Sequence, residues 1–343
     1  MTHTISDTTA CWRETVDALD DAGLAHAPEW LTVIRNAYRH TPLYLAGTDD
    51  AGRSAVLPAF IVRRPVFGSV VTSMPFLDSG GPCSASMPLA RALVERLVGE
   101  ARRIGARAVE LRCARRLDLD VTPAEHKVNM TLSLNGSPDR IWRALDKSVR
   151  NQVRKAERSG LSVATGGGDL LPAFYEAYVS RMRDLGSPAH GIDFLHAVVD
   201  AFAARARIFL VRKGETPIGG LFALRFKDRV VVPWAASVKQ YLPLCPNMLV
   251  YWEAIRTACS DGVRTFDFGR STRGSGTYHF KRQWGAADEP LYWYTIPLTG
   301  APHAAVASPA NSAAGPLLAT AWQHLPLQVT RFLGPRIRRY LIQ

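Results

Sequence analysis

The chain has no close cysteine pair: its five cysteines, Cys11, Cys83, Cys113, Cys245 and Cys259, stand far apart. That excludes a zinc knuckle or a vicinal redox couple and suits a reducing, cytoplasmic setting. The nine histidines are dispersed, with no His-Glu-x-x-His or related spacing, so no metal site is expected. No run of about 18 apolar residues exists, which argues against a transmembrane helix. Met1 to Asp20 carries acids and polar residues where a signal peptide needs an apolar core. A Walker loop and a Gly-x-Ser-x-Gly elbow are both missing, which speaks against ATP hydrolysis and against that kind of serine hydrolase. Cys83, in Gly80-Gly-Pro-Cys-Ser84, reads as a turn cysteine rather than a nucleophile. Lysine is scarce, 7 against 35 arginines, and acids are outnumbered, 30 to 42, for a net charge of +12. The excess favours an anionic partner (nucleic acid, a phosphorylated substrate or a membrane surface), although an arginine skew also follows from base composition.

What is present is concentrated between Gly262 and Gly285. A short apolar strand, Arg264 to Phe268, runs into a glycine-rich stretch carrying Arg270 and Arg273, then to Lys281 between Phe280 and Trp284. Glycine and arginine supply a flexible cationic lining for phosphate or carboxylate, and a partly buried lysine holds charge near a reacting group. Arg270 and Lys281 are the principal candidates. Ser271, Arg273, Tyr278, Asn247, Tyr251 and Trp252 are secondary ones, the aromatics of the Met248 helix being core candidates too. Asp267 offers two readings: a general base at a strand end, or a carboxylate that faces solvent or pairs with an arginine.

Element order repeats. Leu43–Ala46, Ser54–Arg63 and Ser69–Ser73 read as strands, followed by a helix from Met87 to Ile104 and a strand from Ala106 to Arg112. Arg207–Arg212, Ile218–Phe226 and Val230–Ala235 repeat the strands, followed by a helix from Met248 to Asp261. Gly105-Ala-Arg-Ala-Val-Glu-Leu-Arg112 aligns with Gly262-Val-Arg-Thr-Phe-Asp-Phe-Gly269 at an offset of 157 positions (262 − 105). Duplication of an α/β unit is the reading this supports. Only the second copy opens into a glycine-rich loop, so the active site is expected there.

Between Ser137 and Gly160 the pattern predicts one helix, with Ser137 as N-cap, Pro138 in the first turn and Gly160 as the stop. Ile141, Leu145, Val149 and Val153 make its apolar face. Arg143, Lys147, Arg150, Arg154 and Arg158 form an opposed stripe within roughly 80°. Like charges in one stripe repel, and phosphates would relieve them. A solvated face is the plainer alternative. Ala301 to Pro316 reads as an Ala/Pro/Ser linker. Trp322 to Gln343 is basic and partly apolar, and either docks on an anionic membrane or packs back on the body.

These motifs resemble the FemAB-like branch of the GNAT superfamily, in particular FemAB-related proteins of exosortase and exopolysaccharide loci. The resemblance runs over roughly Ala46 to Pro297. It rests on His126-Lys-Val-Asn-Met130, Arg150-Asn-Gln-Val-Arg-Lys-Ala-Glu-Arg-Ser-Gly160, Met182-Arg183-Asp-Leu-Gly186, Pro246-Asn-Met248 with Tyr251-Trp252, and Phe266 to Gly285. It implies an α/β chain of two tandem GNAT-like domains, each a mixed sheet flanked by helices, around a shared cleft. The division expected is 1–125, 126–298 carrying most of the site, a linker at 299–321 and a basic tail at 322–343. It implies transfer of an aminoacyl or acyl group to an amine on a cell-envelope or exopolysaccharide precursor, with aminoacyl-tRNA as donor and no tightly bound cofactor. Lys281, with Arg270 and Asp267, would be catalytic. Arg150, Arg154 and Lys155 would meet phosphate, and Arg183 would contact substrate. No long helical arm is visible, which leaves acyl-CoA as the alternative donor. Against that donor, Ser237 to Asn247 lacks the glycines of a GNAT pyrophosphate loop. A non-catalytic binder of tRNA or anionic glycolipid is the reading from another class. The setting expected is cytoplasmic, with peripheral contact at the inner membrane face through the tail.

Overall fold

In the computed structural model, residues 2–4, 9–65, 67–298 and 315–342 are described. The chain divides into two compact units. The first takes Met1–Val128, Pro290–Gly315 and Arg339–Gln343; the second takes Asn129–Glu289 and Pro316–Arg338. The division is interleaved rather than end to end. Residues 301–314, the greater part of the expected linker, lie outside the described residues, and Gly315–His324 beyond them is helix.

The first unit contains β1 (Thr2–Thr4), α1 (Thr9–Ala18), α2 (Glu29–Tyr38), β2 (Thr41–Pro42), β3 (Leu45–Thr48), β4 (Ser54–Leu57), β5 (Ala59–Arg64), β6 (Gly68–Ser73), β7 (Cys83–Ser84), α3 (Met87–Arg103) and β8 (Ala108–Cys113). The second contains α4 (Pro138–Ala144), α5 (Lys147–Arg158), β10 (Leu161–Gly166), α6 (Leu171–Asp184), α7 (Ile192–Phe202), β11 (Ala206–Lys213), β12 (Thr216–Phe226), β13 (Arg229–Ser237), α8 (Pro246–Ser260), β14 (Thr265–Thr272) and α9 (Gly276–Arg282). It opens on β9 (Lys127–Ser133), and β15 (Ala287–Pro290) ends its sheet. The chain then supplies β16 (Tyr292–Pro297) to the first unit and α10 (Gly315–His324) and α11 (Leu327–Arg338) to the second.

The first unit pairs its strands as β16-β8-β6-β5-β2, with a smaller sheet β1-β3-β4-β7; the second forms one sheet, β10-β11-β12-β13-β14-β9-β15. Each unit holds a parallel pair joined by a helical crossover. β6 pairs β8 through Val70–Thr72 with Ala108–Glu110, and β13 pairs β14 through Arg229–Val231 with Thr265–Asp267. Glu110 and Asp267, matched by the sequence offset, are both the last residue of their strand in that parallel pairing. Gly105 and Gly262, also matched, both adopt positive φ, 67° and 71°, where the crossover helix turns into the strand. The duplication read from sequence therefore holds at the level of register.

Helix α3 starts because the Ser86 hydroxyl accepts from the Leu89 amide and Pro88 needs no amide partner. Leu89, Leu93 and Leu97 share its inner face and pack with Leu57, Val71, Val109, Leu111 and Tyr294. Each fully buried leucine of this kind contributes about 1.5–3 kcal/mol. The second unit buries Ile208–Val211 consecutively on β11, as expected of a strand with covered faces. An aromatic cluster fills its centre, with Phe222 edge-on to Trp234 at 5.3 Å and Trp234 edge-on to Phe194 at 5.7 Å. Helix α11 packs on α6, where Thr330 and Gly334 are buried.

The expected single helix from Ser137 to Gly160 is two helices. Ser137 caps the first as anticipated, and Gly160 stops the second with φ of 73°. Between them Leu145 turns extended, with ψ of 148°, and buries its side chain. Arg143 is therefore on a different helix from Lys147, Arg150, Arg154 and Arg158, and the stripe is interrupted.

Candidate functional site

The second unit's parallel pair separates after Asp267. Beyond the three shared register positions β13 continues to Ser237 and β14 to Thr272, so the two strands part as a fork. The chain reaches the end of β13, makes a helical turn at Lys239–Leu244 and enters α8 at Pro246. At that corner the Ser237 hydroxyl donates to the Asn247 side-chain carbonyl, at 2.5 Å.

Asp267 lies at the root of the fork. It is buried, and its two carboxylate oxygens accept from the Asn129 side-chain amide and from the Gly269 backbone amide, each at 2.8 Å. Burial excludes a solvent-facing Asp267. Asn129 was not among the candidate side chains. It falls inside the His126–Met130 motif, but its partner is 138 residues away (267 − 129), and local spacing carries no signal for that. Asp267→Ala is expected to lower stability by about 1–3 kcal/mol, the cost of leaving buried donors unmade. Urea unfolding of Asp267→Ala, Asn129→Ala and the double variant measures it, and the pair should be non-additive.

The glycine-rich loop is shorter than its composition suggests. Arg270 and Ser271 are still on β14, and only Arg273–Ser275 turns. A short helix, α9, follows, capped by the Ser275 hydroxyl on the Tyr278 amide. Nothing in the sequence pattern had marked α9. Its last turn points Lys281 back to β14. Lys281 is buried, and its ammonium donates to the Gly269 carbonyl at 2.9 Å and the Arg270 carbonyl at 2.7 Å. Gly269 has φ of 73°, a conformation that costs other residues about 1–2 kcal/mol, and this turns its carbonyl toward the lysine.

The first unit offers an internal comparison. Arg112 stands where the second unit has Gly269 (112 + 157 = 269). Its carbonyl accepts from the amides of Gly80 and Gly81, at 2.8 and 2.7 Å. Its buried guanidinium donates to the Leu77 and Ile342 carbonyls and lies 4.9 Å from the Trp293 ring centroid. Glu110, the counterpart of Asp267, meets Arg64 at 3.6 Å; burial raises the Glu110 pKa, with Arg112 and Arg64 opposing. The same strand position thus holds a carbonyl tied by backbone amides in one copy and by a lysine in the other.

The remaining candidates distribute as follows. Tyr251 is buried in α8, stacked on Phe268 at 5.5 Å and edge-on to Phe280 at 5.2 Å, and burial pushes its hydroxyl pKa up. It therefore supports β14 and α9 from behind. Trp252 faces the other way, against Trp142 of α4 at 4.6 Å, and the Arg154 guanidinium lies 5.6 Å from the Trp142 centroid. Arg154 and Lys155 are exposed on α5. Arg150 instead folds back over the end of α4, donating to the carbonyls of Trp142, Arg143 and Leu145. Those carbonyls lie at a helix C-terminus, where a cation is favoured. Arg273 pairs with Asp288 at 3.2 Å. The Ser271 hydroxyl is buried without a hydrogen-bond partner. Tyr278 is half-buried on α9. Arg183 sits on α6 beside Asp184. Asp267, Arg270, Ser271 and Lys281 are thus gathered on one strand-turn-helix, and Tyr251 backs it. No set of three or more His, Cys, Asp or Glu side chains among the described residues is placed to hold a metal ion.

A parallel pair joined by a crossover helix, repeated in two units, is the tandem GNAT-like architecture. Residues 143–282 match the acetyltransferase (GNAT) domain family. Among solved structures the chain is similar to FemX, with a TM-score of 0.67 at 14% identity over 86% of this chain and 98% of that one. It is also similar to the C-terminal domain of a protein from Agrobacterium fabrum assigned as a lysylphosphatidylglycerol synthetase (TM-score 0.55, 12% identity, 87% and 94% covered). A third is a tandem GNAT protein of the clavulanic acid biosynthesis pathway (TM-score 0.53, 8% identity, 88% and 100% covered). No curated protein matches the sequence. Among the described residues no helix is long and apolar enough to cross a membrane.

Proposed function

We propose that the protein is an acyltransferase that moves an aminoacyl group from aminoacyl-tRNA to an amine on a cell-envelope or exopolysaccharide precursor. The observation that carries this reading is the strand-turn-helix of Asp267 to Lys281, set at a GNAT fork inside the segment that matches the family. The names of two structural neighbours, FemX and the lysylphosphatidylglycerol synthetase, agree with aminoacyl transfer at the cell envelope.

In this reaction the acceptor amine attacks the ester carbonyl of the donor. A C–N bond forms, the C–O bond to the donor's leaving oxygen breaks, and the amine proton ends on that oxygen. Charge builds on the carbonyl oxygen in between. Arg270 meets that charge, while Lys281 locks the strand that carries Arg270 and adds its own field. Asp267, held by Asn129 and Gly269, fixes the root of the strand. The chemistry then rests on positioning and charge stabilisation, with no covalent nucleophile required. Arg154, over the Trp142 ring, and the exposed Lys155 supply cations and an aromatic face of the kind that holds a nucleic-acid backbone and stacks a base.

Titration of the protein with charged tRNA, and separately with acyl-CoA thioesters, tests the donor. Saturable tRNA binding that weakens as salt rises is expected, with Arg154→Gln/Lys155→Gln weakening it by about tenfold. Binding of acyl-CoA alone would transfer the reaction to that donor, the second reading that the GNAT domain match favours. Tight tRNA binding with no transfer to any amine would leave only a binding protein.

A further inference from the structure

After Glu289 the sequence contains no acidic residue, while it contains Arg331, Arg336, Arg338 and Arg339. In the second unit, α10 and α11 come from this acid-free stretch. Their inner faces are engaged. The Ala319 backbone carbonyl lies close to Gly186, the Gln323 amide donates to the Asp184 carbonyl at 3.2 Å, and Arg331 pairs with Glu176 at 2.7 Å. Arg338 donates to the His190 ring at 3.2 Å.

Their outer faces are apolar and open. Leu317 and Leu318 of α10 are 74% and 59% exposed, and Phe332 of α11 is 60% exposed, with Val329 one turn before it and Ile337 further along also exposed. Arg336 lies over the Phe332 ring at 3.7 Å and donates to the Phe332 carbonyl, so cation and ring present one surface. On a helix, positions 329, 332 and 336 share one side, opposite the buried Thr330 and Gly334. Water is a poor solvent for such a face, and a protein partner would ordinarily complement arginines with acids. An anionic lipid surface satisfies both halves: acyl chains take the phenylalanine and leucines, and phosphates take the arginine.

We propose that the outer faces of α10 and α11 dock this protein on an anionic phospholipid membrane. The surface would bring the fork to an acceptor held at that membrane. This last step rests on the transfer reading, whereas the docking itself does not.

The test is co-sedimentation of the full chain with vesicles of phosphatidylcholine alone or mixed with phosphatidylglycerol, read at low salt and at 0.5 M salt (a setting of about three times physiological strength). A basic protein clings to anionic vesicles at low salt whatever its shape. The informative part is what survives salt. Wild-type protein is expected to stay bound to the phosphatidylglycerol vesicles at high salt. Phe332→Ser/Leu318→Ser should lower that retained binding by at least about tenfold, while Arg154→Gln/Lys155→Gln leaves it unchanged. Both changes lie on exposed side chains, and circular dichroism checks that the fold persists. Equal retention by wild type and the Phe332/Leu318 variant would overturn the proposal. So would absence of retention together with dimers in light scattering that the same variant abolishes, since the face would then meet a second copy. Because no turnover is measured, failure here leaves aminoacyl transfer standing, and failure to find transfer leaves docking standing.

Discussion

Replacing Lys281 by alanine is expected to abolish turnover, at least about a hundredfold in rate, the scale of removing one preorganised charge-stabilising group. The same change is expected to destabilise the fold by roughly 2–4 kcal/mol, because the Gly269 and Arg270 carbonyls lose a charged donor. The two effects separate experimentally. Lys281→Met fills most of the volume without donating, so a stability loss close to alanine's would point to the lost hydrogen bonds rather than to a cavity. Rates are to be compared at a temperature where circular dichroism shows each variant folded. A folded Lys281→Ala protein that still transfers at the wild-type rate would remove the mechanism proposed above.

Acid should loosen the protein well before its carboxylates titrate. His40 is buried, donates from Nε2 to the Arg339 carbonyl at 2.8 Å, and has its pKa lowered to about 4, chiefly by burial. His190 is held well below its ordinary value, first by burial and then by Arg338. An unfolded histidine titrates near 6.5. Between that value and the folded one, the unfolded chain binds more protons, so stability rises with pH. The contribution is complete above about pH 6.5 and is lost progressively as the pH falls toward 4. For His40 the full loss is about 3 kcal/mol, from roughly 1.4 kcal/mol per unit. Urea midpoints at pH 7.5, 6 and 5 should fall steeply for wild type and less for His40→Gln. A His40→Gln protein with the same slope as wild type would show that other groups drive acid unfolding. Arg338 leans on neutral His190, so α11 should be among the first elements to loosen.

Legibility followed locality. The strand-helix-strand units were readable because apolar periodicity and the paired glycines at 105 and 262 act within a few residues. The duplication was readable for the same reason: an eight-residue match sits at the crossover where register is set. Lys281 and Arg270 were identifiable by type and spacing. Their geometry was not, because it depends on α9, a helix of barely two turns whose start rests on one serine cap. The break at Leu145 escaped because the periodicity of four runs straight through it; what stabilises the break is Arg150 reaching back to three carbonyls. Asn129, Trp142 and the second role of Arg112 escaped because each acts across more than thirty residues of sequence.

The interleaved path of the chain has a consequence for biosynthesis. Every strand of the second unit's sheet has been made once Pro290 leaves the ribosome. The first unit, although begun earlier, still lacks the edge strand β16 and the Ile342 carbonyl that the buried Arg112 contacts. The second unit in turn still awaits α10 and α11, so neither unit is finished ahead of the other in the usual N-terminal-first order. The first unit gains its edge strand on β8 only when β16 is made, and Arg112 gains the Ile342 carbonyl later still. Truncation ahead of these late segments should accordingly weaken both units, the first through loss of β16 and the second through loss of α11 from α6.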